Sequence, residues 1–125
     1  MGSEYSPIPT GLDGPTEPSG DERRRAVRYH FGGVAEVIDV GSEAHLIGSA
    51  SVLGLYGCFV NTRAAFRSGT RVKLRITNGD AEFATLGGVV HATDEGMGIV
   101  FGEMGPNEKA VLEHWLSQVA QEKWA

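Results

Sequence analysis

From Tyr29 to Phe101 the apolar residues come in short runs broken by Gly, Asn and Asp, with no helical recurrence of useful length. That pattern predicts antiparallel strands. Arg71-Val72-Lys73-Leu74-Arg75-Ile76-Thr77 alternates most cleanly, which places Val72, Leu74 and Ile76 on a core face and three basic residues toward water. Further strands are predicted over Tyr29–Val40, Ala44–Leu53, Gly57–Thr62, Glu82–Ala92 and Met97–Phe101, the last with Met97, Ile99 and Phe101 on one face. Turns fall at Gly41-Ser42-Glu43, Asn78-Gly79-Asp80 and Thr93–Gly96. Gly32-Gly33 marks a bulge or close approach within its strand, and Gly87-Gly88 a kink or bulge within its own. The fold class expected is mainly β: six antiparallel strands in a mostly up-and-down order, closed into a small barrel because closure removes exposed edges.

Past Gly105 the period changes. Pro106 suits the first helical position, Glu108 complements the helix N-terminus, and Leu112, Trp115, Leu116 and Val119 recur at helical spacing. One C-terminal helix is expected to pack its apolar stripe on the barrel or a partner, with Trp115 in the core. At the other end, residues 1–21 hold four of the five prolines and no Lys or Arg. Such a segment buries too little apolar surface to offset its ordering entropy, so residues 1–21 are expected to form a flexible arm and residues 22–122 the single folded domain.

Charge narrows the function classes. With 125 residues, a net charge of −5 and a pI near 5.3, the chain lacks the broad basic surface of a general DNA or RNA binder. No apolar stretch approaches the roughly 20 residues that span a bilayer, and no leader pattern opens the chain, so a cytoplasmic protein without membrane insertion is expected. The single cysteine, Cys58, sits in an apolar run and reads as a buried, inert thiol. His30, His45, His91 and His114 are dispersed without metal-ligand spacing, and no nucleophile turn or phosphate loop is present. Neither an enzyme nor a resident cofactor is expected.

Against this acidic background, Arg23-Arg24-Arg25-Ala26-Val27-Arg28 packs four of the eleven basic residues into six positions. Guanidiniums this close repel one another unless an anionic or planar group sits against them, and Arg both forks onto phosphate and stacks on flat rings. A solvated run ending a tail is the other reading.

Placed directly before a six-stranded barrel with a C-terminal helix, this Arg-Arg-x-x-x-Arg pattern resembles the PilZ domain family. Leu55-Tyr56-Gly57-Cys58-Phe59-Val60-Asn61-Thr62 looks like that family's strand after its second motif, and Gly96-Met97-Gly98-Ile99-Val100-Phe101 like its last strand. The resemblance implies a bacterial receptor for cyclic di-GMP, in which Arg24 and Arg28 hold phosphates and guanine edges and Arg23 assists as the segment folds over the barrel. The chain departs from the family at the second motif, usually (Asp or Asn)-x-Ser-x-x-Gly. Aligned through Gly57, the motif positions are Val52, Gly54 and Gly57; a shifted register uses Ser49, Ser51 and Gly54 but needs three extra residues before the next strand. The ligand-binding set implied by both registers is Arg23, Arg24, Arg28, Ser49, Ser51, Gly54 and Gly57. Two functions are implied: a cyclic di-GMP receptor, or a degenerate domain that has lost the nucleotide and serves as an adaptor for a protein partner.

Overall fold

The structure is a computed structural model that describes residues 27–124, with side chains through Ala120. The expected arm at residues 1–21 and the arginines Arg23, Arg24 and Arg25 lie outside the described residues. In chain order the elements are β1 (Arg28–Asp39), β2 (His45–Gly54), β3 (Gly57–Asn61), β4 (Arg71–Asn78), β5 (Ala81–Ala92), β6 (Gly96–Phe101) and the helix α1 (Pro106–Trp124). Each strand agrees with its sequence expectation to within a residue at either end.

The strands close into an antiparallel barrel in the spatial order β1-β2-β3-β6-β5-β4. This corrects the up-and-down expectation. Each half of the sheet is a three-stranded meander, but residues 62–70 carry the chain across to β4, and the halves join by pairing β1 with β4 and β3 with β6. Hairpin signals are local and define each meander; they do not say which free edges meet.

The interior is what the alternation asked for. Val72, Leu74 and Ile76 of β4 are buried, as are Met97, Ile99 and Phe101 of β6, together with Ala35, Val37, Leu53 and Val60. Leu112 and Trp115 of α1 join this core, and the indole lies 5.2 Å from the Phe31 ring and 6.3 Å from that of Phe83. The helix therefore covers the end of the interior where Phe31, Phe83 and Phe101 gather.

Three register shifts interrupt the ladders, one of them between Ala50 and Val52 where β2 pairs with β3. The β1–β2 ladder shifts between His30 and Gly33, at the expected glycine pair. On β5 the expected break at Gly87-Gly88 is absent: both glycines pair regularly with β4, and the shift toward β6 falls between Val89 and His91. Gly87 instead permits close approach, since a Cβ there would stand 2.6 Å from the Val100 carbonyl oxygen. The extra residue at the shift is Val90, 58% exposed.

Candidate functional site

Strand pairing sets side chains from five strands in one row on the outside of the barrel. His30 of β1 pairs with Val52 of β2, Val52 with Phe59 of β3, Phe59 with Gly98 of β6, and Gly98 with His91 of β5. Beside this row, Arg28 pairs with Gly54 and Gly57 with Val100. Glycines at 54, 57 and 98 leave the surface low, while Arg28, Tyr56 and His91 stand around it. The result is a groove of about 370 Å³.

The floor is held by close backbone packing. A Cβ on Gly57 would run into the Ile99 carbonyl oxygen, so β3 and β6 approach this closely only with glycine there. A Cβ on Gly54 would stand 3.2 Å from both the Arg28 Cγ and the Val27 carbonyl oxygen, so β2 passes directly beneath the chain entering β1. Under the floor lies Cys58, whose thiol burial pushes up to about 12. It stays protonated and apolar at neutral pH, as its sequence context suggested.

Arg28, Tyr56 and His91 supply the exposed polar side chains of the groove wall. Arg28 offers a forked cation for an anionic oxygen or a base edge, and His91 offers one ring nitrogen that donates and one that accepts. Phe59, half-buried, gives the floor an apolar surface. The combination suits a ligand that is anionic in one part and flat and aromatic in another.

Of the residues singled out from the sequence, Arg28, Gly54 and Gly57 come together in this groove. Ser49 does not: it is exposed further along β2, paired with Val34 and Asn61. Ser51 falls at the register shift between Ala50 and Val52, and neither it nor Val52 lines the groove, although Val52 pairs with Phe59 of its floor. Arg23 and Arg24 are outside the described residues. His91 and Tyr56 enter the groove without having been assigned to it. From the sequence His91 is one of four dispersed histidines, because nothing local to β5 reveals that its cross-strand partner is a glycine.

Among the described residues, no cluster of His, Cys, Asp and Glu is arranged to hold a metal, and no helix is long and apolar enough to cross a membrane.

The family profile described as PilZ domain matches residues 22–118. Solved structures with the same fold include the PilZ domain of CeSA from a cellulose-synthesizing bacterium, at 14% identity and TM-score 0.59, covering 78% of this chain and 99% of that one. The PilZ domain of YcgR from Escherichia coli, solved with c-di-GMP, is 14% identical at TM-score 0.66, covering 81% of this chain and 94% of that one. The Bacillus subtilis inhibitor of motility, MotI/DgrA, is 16% identical at TM-score 0.64, covering 79% of this chain and 52% of that one. A search among curated proteins finds no match.

Proposed function

The chain belongs to the PilZ domain family, and from that premise we propose that it is a receptor for cyclic di-GMP, held in the groove beside Arg28 and closed over by the Arg23–Arg28 segment. PilZ domains are a family of cyclic di-GMP receptors. The observation that carries the reading to this chain is the position of Arg28: it lines a groove of about 370 Å³ at the point where the arginine segment enters β1. Arg23 lies five residues earlier, so the chain limits it to at most about 18 Å from Arg28. Arg24 is one residue nearer. Three guanidiniums within such reach of one groove match a ligand with two phosphates and two guanines.

In the register aligned through Gly57, Val52 and Gly54 take the positions where the family's second motif has a carboxylate or amide and a hydroxyl. Neither can accept a hydrogen bond from guanine through its side chain, and a buried donor left without a partner costs about 1–3 kcal/mol. In this reading His91 and Tyr56, on the same groove wall, take up part of that role. Arg24 and Arg28 grip phosphate and base edge as the arginine segment closes over the groove.

The same apolar substitutions, with Tyr56 54%, Val90 58% and Val100 45% exposed around the groove, favour a second reading: an adaptor that takes a protein partner there and no nucleotide. Thermal unfolding with excess cyclic di-GMP, GMP and cyclic di-AMP separates the two. A ligand at 100 times its dissociation constant stabilises the folded state by about 2.7 kcal/mol. The receptor reading expects a clear rise in Tm with cyclic di-GMP alone, abolished in Arg24→Ala/Arg28→Ala; no rise with any nucleotide favours the adaptor.

A further inference from the structure

Away from the groove, the outer face of β2, β1, β4 and β5 carries large apolar side chains that no described element covers. Ile47 is 64% exposed, Val34 55% and Leu86 54%. By strand register one row across this face reads Ile47, Glu36, Arg75, Ala84. Taken in reverse, the row is its own complement: the large apolar residue meets the small one, and the acid meets the base. At the Ala84 end a shallow depression of about 310 Å³ lies among Ile38, Lys73, Arg75, Ala84 and Leu86.

We propose that this face is a contact with a second copy of the chain, related by a two-fold axis in the contact plane, parallel to the strands and between β1 and β4. A two-fold contact uses the same patch on both partners, so the patch must complement itself. This axis exchanges β2 with β5 and β1 with β4. Ile47 of each copy then enters the depression over Ala84 of the other, and Glu36 of each lies against Arg75 of the other. In the neighbouring row Ile38 meets the aliphatic stem of Lys73, which shields apolar surface while its ammonium stays in water.

Two features favour a second copy over an unrelated partner. Complementarity under reversal is a property that an interface with a different protein does not require. The charged heads are also already positioned within each chain: the Glu36 carboxylate lies 2.7 Å from His45 Nε2 and 3.4 Å from Arg75 Nε, and Arg75 Nε lies 3.3 Å from Glu82. Held in this way, they lose little side-chain freedom when a partner arrives. Barrel exteriors curve apart at their outer strands, and Ile47, the most exposed of the three apolar residues, reaches across that gap.

Sedimentation equilibrium of the purified full chain over a wide concentration range tests the assignment. The expected result is a reversible monomer–dimer equilibrium. Ile47→Asp and Ala84→Arg, both at exposed positions, should each give a folded monomer with unchanged circular dichroism. Glu36→Arg and Arg75→Glu should each weaken the dimer by about tenfold or more, because each places like charges opposite one another. The double exchange Glu36→Arg/Arg75→Glu should restore it. A monomer at every soluble concentration overturns the proposal, as does a dimer indifferent to Ile47→Asp and Ala84→Arg. So does a double exchange no stronger than either single change.

Discussion

Strand β4 and the start of β1 with the end of β2 belong to the same barrel, yet they spend their residues differently. β4 pairs without interruption on both sides, with β1 from Val72 to Thr77 and with β5 from Arg71 to Asn78. Each of its side chains goes cleanly to the core or to water. Around the groove, the β1–β2 ladder shifts near Gly33 and the β2–β3 ladder shifts near Ser51. There the outer surface sinks over glycines, while Arg28, Tyr56 and His91 stand around it. Regular pairing sorts side chains between core and water; the groove lies where the pairing of β1, β2 and β5 is irregular.

Breaking the regular side should cost stability first. Trp115→Ala is expected to lower the unfolding free energy by about 3–5 kcal/mol, and Leu74→Ala by about 2–5 kcal/mol, in urea titration, because both side chains are buried among aromatic and aliphatic neighbours. Next comes the groove floor: Gly57→Val should cost at least about 1–3 kcal/mol in the same titration, since β3 must move away from the Ile99 carbonyl.

The groove wall should respond the other way round. Arg28→Ala, at an exposed position, should leave stability within about 0.5 kcal/mol while losing roughly 10- to 150-fold in cyclic di-GMP affinity, as a charged hydrogen bond is worth about 1.5–3 kcal/mol. Val52→Asp extends the contrast. It should raise affinity by roughly 5- to 150-fold by supplying the acceptor that guanine lacks, measured by titration calorimetry. Gly54→Ser should gain less, because its Cβ would stand 3.2 Å from the Val27 carbonyl oxygen.

The last contrast is one of pH, at Cys58. Its thiol is raised by burial from 9.0 to about 12, so the folded state disfavours its ionisation. Its contribution to stability is whole below about pH 9 and falls as pH rises toward 12, because the unfolded chain loses the proton first. The difference in unfolding free energy between the native chain and Cys58→Ala should therefore narrow across that window.

Legibility in the sequence divides along the same line. β4 could be read residue by residue, since alternation at period two is a local property and Val72, Leu74 and Ile76 are where it placed them. The helix and Trp115 were legible for the same reason at period 3.6. Barrel closure through β1–β4 and β3–β6 was not, because it depends on which edges meet across the 62–70 connection. Nor was the shift at Val90, where a glycine pair just before it drew attention to the wrong position. Arg28, Gly54 and Gly57 were picked out by motif, but His91 could be placed in the groove only once its cross-strand partner was known to be Gly98.

The receptor reading stands or falls on calorimetric titration of the full chain with cyclic di-GMP at near-physiological salt, alongside Arg28→Ala and Arg24→Ala/Arg28→Ala. The expected result is saturable binding at micromolar concentrations or tighter, weakened in the single variant and lost in the double, with all three proteins equally folded. Absence of heat from the native chain at high ligand concentration, or equal binding by all three, would contradict it.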